Sequence, residues 1–527
     1  MNPTPLSHLS HDQLHQFATE LMAQLSAQQA LTETAQKQLT EQIEHSQKVL
    51  REKDQHIEKL TYELAHLRRL KFARSSEQLS ALQLSLLDEL TDADIAALES
   101  EIAQLTQSTP ETMSTPKTQP KRQTLPKDLP RTTLLHEPDN THCRCGCALQ
   151  RIGEDISEKL DYIPGRFQVE RHIRGKWVCK ACDTLTQAPM PAQIIDKGLP
   201  TAGLLAHLVL AKYADHLPLY RQETIFARAG VALSRSTLAE WVGVCGVQLT
   251  PLADALKAEL LNQSVLHVDE TPVPILKPGH KKTHQGYVWA YASTAFNSFK
   301  AVYYDFTPGR SGLYARDILD SWKGQLVCDD YSGYKQCFKH GITEVGCMAH
   351  ARRKFVELHD SGKSQIAHQA IALIAQLYGI EKNVKTLDDQ QRAQIRQAQA
   401  KPIADKLQQW LEANRQKVPH GSVTAKAIDY MLKRWEGLTR YLNDGALPID
   451  NNRVENQMRP WALGRKNWLF AGSERSGKRA AAIMTLVQSA KLNGHDPYAY
   501  LKDVLTRLPT HKNSQIHELL PHHWSPL

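Results

Sequence analysis

At 527 residues the chain is too long for a single hydrophobic core and implies three or four domains. Apolar residues make up 41% and charged residues 23%, the balance of an ordinary soluble globular protein rather than a disordered or fibrous one. The formal charge of +8 arises from 64 Lys+Arg against 56 Asp+Glu, so a nucleic-acid surface has to be sought in local clusters, not in the overall excess. The opening MNPTPLSHLSHDQ has neither the basic start nor the apolar run of a secretory signal. The best apolar stretch, Gly203–Tyr213, is too short for a membrane span and contains His207 and Lys212. A cytoplasmic protein without membrane contact is expected. Of nine cysteines, five crowd into Cys143–Cys182, while Cys245, Cys328, Cys337 and Cys347 are scattered, unlike a secreted disulfide framework.

Residues 12–107 are polar, rich in Gln, Glu, Lys and Leu. Ile43, Leu50, Ile57 and Leu64 recur every seven residues, and Leu39, Ser46, Lys53, Leu60 and Leu67 fill the matching second heptad position. Such a seam needs a partner helix, and self-association as a coiled coil is expected over a helix folded back on its own chain. Residues 108–131 are rich in Pro, Thr and Lys and read as an extended linker.

Residues 132–195 hold the cysteines. Cys179-x-x-Cys182 has the spacing tetrahedral zinc favours, and Cys143 with Cys145 supplies an all-thiolate second half. His142 or Cys147 is the alternative ligand. One structural zinc per chain is expected, in preference to a redox role for the Cys179 pair.

Residues 199–250 read as helical. Leu219–Gly230 and Arg235–Gly246 flank a turn at Gly230–Leu233, with Ser234 placed to cap the second helix. The pair resembles a helix-turn-helix with Arg235 at its DNA-reading end, although helix pairs with such turns are common.

From Ser264 the texture changes to strands: Ser264–Asp269, Tyr287–Ala292, Lys300–Phe306, Gln325–Asp329 and Thr343–Met348, with helices at Gly312–Ser321 and from Ala349. This is an α/β domain with a mixed sheet. Residues 364–441 read as helical, as do a segment from Asp450 and the stretch Gly477–Leu492. The end after Pro509 reads as a loose tail.

Three acids stand out. Asp269 ends the strand VLHVD, Asp329 ends QLVCD, and Glu455 lies one turn into the helix of DNNRVENQMRP. Carboxylates at strand ends sit at a sheet rim, and a third from a helix laid across that rim would close a cluster. Such a cluster is stable only around a cation, and hard oxygen ligands suit Mg²⁺ or Mn²⁺. Two such ions activate a water or 3′-hydroxyl and stabilise the leaving oxygen in phosphoryl transfer. Any one of these acids alone would be read as a solvated element end; the three together carry the reading.

The segments HVDETPVPIL, VCDDYSGY, GCMAHARRKF and DNNRVENQMRPWALGRKNWLFAGSERSG resemble the signature blocks of the D-D-E transposases of insertion-sequence family 66. So do RIGEDISEKLDYIPGRFQVERHIRGKWVC, AKLNGHDPYAYLKDVL and the N-terminal helix and linker, so that the resemblance spans nearly the whole chain. It implies a ribonuclease H-like catalytic core that cuts and joins the ends of a mobile element, with Asp269, Asp329 and Glu455 as its acids. Asp330 stands where the family usually has Gly. The resemblance also implies two accessory proteins encoded by the same element.

Asp269 and Asp329 lie 60 positions apart, but Asp329 and Glu455 are separated by 126. Residues 364–445 therefore read as an all-helical insertion between a first core part, 260–363, and a second, 446–508, with 509–527 as the tail. Cys347-x-x-His350 resembles a signature of several D-D-E groups and is assigned a structural or DNA-positioning role. From Asn451 to Ala480 seven Lys/Arg face two acids, with Trp461, Trp468 and Phe470 interleaved. Basic groups neutralise phosphates and aromatic faces can stack on exposed bases, although both Trp fit a core equally well. Arg352, Arg353, Lys354, Arg453, Arg459, Arg465, Lys466 and Arg475 join Arg235 as the expected contacts to double-stranded DNA, both element ends and target. A resolvase or structure-specific nuclease would use the same acids without needing the coiled coil and zinc module. A decayed DNA-binding protein would not need three intact acids.

Overall fold

The computed structural model describes residues 42–43, 45–65, 67, 93–104, 125, 127, 129–137, 142, 148–163, 165–276, 283–362 and 364–526. The chain forms two compact units, residues 1–66 with 101–113, and residues 67–100 with 114–527. In the first, residues 45–65 form a continuous helix in which Leu60 and Leu64 are buried and Leu50 is exposed, and Ile43, ahead of it, is exposed too. Leu39 lies outside the described residues.

The second unit holds two sheets. The first contains β1 (Arg131–His136), β2 (Gln150–Ile163), β3 (Arg166–Val178) and β4 (Leu185–Gln187), in the order β1-β3-β2 with β4 also on β3. Gly165, at φ 83°, makes the tight reversal between the two long strands. One end of this hairpin buries Leu160, Tyr162, Phe167 and Val169 in the main core; the zinc-module region is therefore an arm rooted in the body.

Next come α1 (Ala202–Tyr213), α2 (Leu219–Arg228) and α3 (Arg235–Leu260). The second helix was expected to stop at Gly246 but runs on to Leu260. Leu249, Leu252, Leu256 and Leu260 keep helical spacing beyond Gly246 and are all buried. The Ser234 side chain accepts from Thr237 N as the expected cap, and Gly230 turns the chain at φ 83°.

The second sheet has the order β7-β6-β5-β8-β9, built from β5 (Val265–Ile275), β6 (His284–Ser293), β7 (Val302–Thr307), β8 (Gln325–Cys328) and β9 (Thr343–Gly346). β6 is antiparallel to β5 and β7, whereas β8 is parallel to β5 and β9. The crossover between β7 and β8 carries α4 (Gly312–Leu319). Strand alternation assigns the faces. Leu266, Val268, Trp289 and Tyr291 turn to the core shared with α1 and α3, while Val273, Val288, Ala290 and Ala292 turn to the opposite face. That face is covered by α12 (Asn452–Trp468) and α13 (Glu474–Leu492) through Val454, Met458, Trp461, Ala481 and Met484. The edge strand β7 is sealed by α13 hydroxyls: Val302 N donates to Ser489 Oγ at 3.0 Å and Tyr304 N to Thr485 Oγ1 at 2.9 Å.

After β9 comes α6 (Met348–Gly362), and α7 (Gln365–Val384), α8 (Asp389–Ile395), α9 (Lys401–Arg415), α10 (Val423–Lys433) and α11 (Trp435–Thr439) follow as a helical region that shares a core with α6. The short α5 (Lys335–Phe338) precedes β9, and α14 (Pro497–Arg507) follows α13. Arg396, fully buried, ties the insertion together by a double contact to Glu381 at 2.7 and 2.8 Å and bonds to the Tyr441 and Asp444 carbonyls. The expected loose tail is corrected by the structure. Residues 513–519 form a 3₁₀ turn, and Leu519, Leu520 and Trp524 are buried in the main core. Three large apolar residues in so short a segment offset the entropy of fixing it.

Candidate active site

Asp269 follows Val268 on β5 and, by alternation, points to the face covered by α12; Glu270 points the other way. Asp329 directly follows β8, the parallel neighbour of β5, and its Oδ1 accepts from Tyr331 N at 2.9 Å, which fixes the turn. Glu455 stands in the first turn of α12. The three acids are thus delivered by a strand, the end of the adjacent strand, and the start of a covering helix.

A buried asparagine sets the third position. Asn451, just before α12 and fully buried, donates from Nδ2 to Val268 O at 2.8 Å and meets His267 Nδ1 through Oδ1 at 2.9 Å. Its backbone N–H reaches Cys347 Sγ at 3.1 Å. One residue therefore joins β5, the start of α6 and the start of α12. With Oδ1 as acceptor, His267 carries its proton on Nδ1; burial pulls its pKa down to about 4, so the ring is neutral. Cys347 is likewise buried, its thiol pushed up to about 12. Cys347 and His350 therefore sit beside the third acid.

Burial, and then the negative charges of Glu270, Asp329 and Glu455, push the Asp269 carboxyl up to about 8. Glu455 Oε1 is buried without a hydrogen-bond partner, 3.6 Å from His350 Nδ1, and Arg353 Nη2 lies 3.5 Å from Oε2. Three carboxylates, one with an orphaned oxygen, have the donor chemistry of a hard divalent cation, while the side chains that come within 4.8 Å of Glu455 as a potential ligand group in this structure are Cys347 and His350. The neighbouring Asp330 pairs instead with Arg434, and Lys335 Nζ lies 3.5 Å away. On the far face Glu270 is held by Tyr334 and Arg310, the latter stacked 4.1 Å from the centre of the Tyr331 ring.

The basic residues divide by burial. Arg352, Arg353 and Lys354 are exposed on α6, and the two arginines line a cleft of about 590 Å³ with Tyr378 and Asn452. Arg459 and Lys466 are exposed on α12. Arg453 is half-buried, with Nε and Nη2 lacking any hydrogen-bond partner. Arg465 Nη1 donates to Pro272 O at 2.7 Å and so ties α12 to β5. Arg475 is half-exposed, and Arg235 sits half-exposed at the start of α3 with its backbone N–H on Glu223 Oε1 at 3.1 Å. Trp461 and Phe470 are buried, Trp461 edge-on to Tyr304 at 5.8 Å, so neither offers a face to a base.

At the cysteine module, Asp183 adopts φ 52° and folds the chain back so that Cys179 N donates to Thr184 O at 3.0 Å and Asp183 N to Cys179 O at 2.8 Å. This knuckle presents Cys179 and Cys182. His142 bridges Ala148 across the second loop, whose Cys143, Cys145 and Cys147 lie outside the described residues.

The sequence pattern missed Asn451 and His267. The only available signal was the run Asp450-Asn451-Asn452 before the helix, which also fits an ordinary cap.

The chain thus carries acids on two neighbouring strands and a covering helix, a basic cleft and a separate cysteine knuckle, and the comparisons specify the class of protein. Residues 197–479 match the model of the IS66 transposase family, 485–522 the IS66 C-terminal element, and 140–183 the zinc-finger binding domain of IS66 transposases. Residues 59–134 match a model described as transposase C of IS166 homeodomain. The uncharacterized protein y4jD of Sinorhizobium fredii is 38% identical over 485 residues, covering 88% of this chain and 94% of its own. A second from that organism, y4hP, is 36% identical over 494 residues, covering 89% and 88%. The chain belongs to the IS66 family of transposases. It is a DNA-binding insertion-sequence protein with a zinc-binding domain, and among the described residues no helix is long and apolar enough to cross a membrane.

Proposed function

We propose that the protein is a D-D-E transposase that binds the ends of its mobile element and catalyses strand cleavage and strand transfer on a ribonuclease H-like core. The observation that carries this reading is that Asp269 on β5, Asp329 after the adjacent β8 and Glu455 in the first turn of the covering helix are near enough for the charges of the last two to raise the Asp269 carboxyl. The sheet order, with three antiparallel strands followed by two parallel ones, supports the core assignment. The acids would hold two Mg²⁺ ions, with Mn²⁺ as a substitute, and the ions would activate the attacking oxygen and neutralise charge on the scissile phosphate. The protein's own part is positional. The strand fixes Asp269, the Tyr331 amide orients Asp329, and Asn451 holds the first turn of α12 so that Glu455 faces them.

Binding falls to the cations. Arg352, Arg353 and Lys354 on the cleft, with Arg459, Lys466 and Arg475, suit phosphates of the element end and target. The buried, partnerless Arg453 nitrogens call for an acceptor that a phosphate oxygen would provide. Arg235 at the head of α3 is assigned to DNA as well, and Arg465 to holding α12 in place. Cys143, Cys145, Cys179 and Cys182 would hold a structural Zn²⁺, with His142 or Cys147 as the alternative ligand. The N-terminal helix is assigned to self-association, and accessory proteins of the same element are further partners. The setting proposed is the cytoplasm, on DNA.

The test is to incubate the purified chain with duplexes carrying the element's ends and Mg²⁺, and to map the cuts. Asp269→Ala, Asp329→Ala and Glu455→Ala should each abolish cleavage while binding of the ends persists. Cleavage by all three variants would end this reading.

A further inference from the structure

Glu259 lies in the last turn of α3, and the C-terminal segment returns to it 263 positions later. His522 Nε2 lies 2.6 Å from Glu259 Oε2, and His523 Nε2 is 3.8 Å from the same oxygen. Ligand atoms of all three side chains lie within 4.8 Å of one another. The two imidazole rings are 4.1 Å apart at their centres, and His517 places a third ring 6.4 Å from His523. His522 is hydrogen-bonded to that oxygen, and His523 brings a second imidazole nitrogen to ion-pair distance of it.

The arrangement is held before any ligand arrives. Leu519 and Leu520 anchor the backbone on one side of the histidine pair, and buried Trp524 anchors it on the other, its Nε1 donating to Asp503 Oδ2 at 2.7 Å. His495 Nε2 meets Pro521 O at 2.8 Å, and the edge-on Phe299 ring packs 4.7 Å from His522. The carboxylate is partly open and the His523 side chain is 51% exposed, so an ion can enter from solvent.

Two imidazoles and a carboxylate are a zinc donor set, and imidazole selects against the hard Mg²⁺ expected at the acids. We infer that Glu259, His522 and His523 form a second zinc site, with His517 or water completing the coordination. It shares no residue with the carboxylate cluster or the cysteine module. Its role is a clamp: the ion bonds the C-terminal segment to the end of α3 and holds Leu519 and Leu520 in the core. This does not rest on the catalytic proposal.

The test uses the full-length protein in equilibrium dialysis against Zn²⁺, with metal content and thermal unfolding as readouts. Two zinc ions per chain are expected. Both the His522→Gln/His523→Gln double variant and Glu259→Gln should bind one, and should lose that part of the zinc-induced rise in Tm. Glu259→Gln can still accept a hydrogen bond from His522, so it separates metal binding from a simple side-chain contact. With Co²⁺ in place of zinc, the site lost in these variants should show no thiolate charge-transfer absorption, while the cysteine site keeps its own. A zinc content unchanged in both variants would overturn the inference.

Discussion

Asp329 and Asp330 are chemically identical neighbours with different surroundings. Asp330 is drawn aside by Arg434 and Lys335, whereas the charge of Asp329 is one of those that raise the Asp269 carboxyl. Asp330→Ala should therefore keep cleavage within several-fold of the parent and cost about 1 kcal/mol or less, because the pair it breaks is partly exposed. An inactive Asp330→Ala beside an active Asp329→Ala would reverse the assignment of the second acid. Asn451 carries more, since its three hydrogen bonds are buried and its removal orphans His267 Nδ1 and the Val268 carbonyl. Asn451→Ala should cost roughly 2–4 kcal/mol in urea unfolding. It should also slow cleavage at least about tenfold, because small misplacements of reacting groups are expensive. Binding of element ends should stay unchanged. Normal cleavage by this variant would show that Glu455 is placed by other contacts.

At the scale of elements, the N-terminal helix leaves Ile43 and Leu50 at 48% and 46% exposure while burying Leu60 and Leu64. An apolar seam with an open end is what a second helix would cover. Asp at both Leu50 and Ile57 should turn a dimer into a monomer by sedimentation; a parent already monomeric would remove the basis for self-association. In the cysteine module, Cys179→Ser with Cys182→Ser should lose one zinc per chain and loosen the end of the β2–β3 hairpin. Its root should hold, because Leu160 and Phe167 are anchored in the main core. Amide exchange confined to residues 140–187 would bear this out, and unfolding of the entire chain would contradict it. Legibility follows the same division. Asp329 stands where expected, directly after a short β-branched strand, and Glu455 in the first turn of a helix, whereas Asp269, read as a strand end, lies inside β5, which runs on to Ile275 because Val273 and Ile275 keep the strand alternation past the two prolines. Asn451 was not legible, because its partners His267 and Val268 lie 184 and 183 positions away and nothing local records such a contact. Trp461 and Phe470 misled because aromatic residues among arginines suit either a stacking surface or a helix packed on a sheet. The extent of α3 was hidden by Pro251, a helix breaker in most settings, although its leucine spacing was visible throughout.

For the molecule as a whole, burial of histidines sets how the fold responds to acid. Desolvation lowers the pKa of His172, His207 and His216 below the usual imidazole value and takes His267 to about 4. Each is harder to protonate in the fold than in the unfolded chain, where an imidazole takes up its proton near pH 6.5. The unfolded state then binds more protons, so stability is full above that pH and falls as pH drops from about 6.5 through the folded values. Glu170, Asp254 and Asp305, raised by burial, act in the opposite sense, as does the metal-free Asp269. A single histidine is therefore best read as a difference between two proteins in which all other groups are shared. His207 is suited to this: its ring packs 3.9 Å from Tyr162 and 6.0 Å from Phe226, with Asp215 opposing the desolvation. His207→Phe keeps an aromatic ring in that stack and removes the titration. Urea midpoints of parent and variant should run parallel above pH 7 and separate below about 6.5, the variant losing less, by up to roughly 1.4 kcal/mol for each pH unit between the unfolded and folded values. Curves that stay parallel down to pH 5 would mean that His207 takes up its proton in the fold as readily as in the unfolded chain.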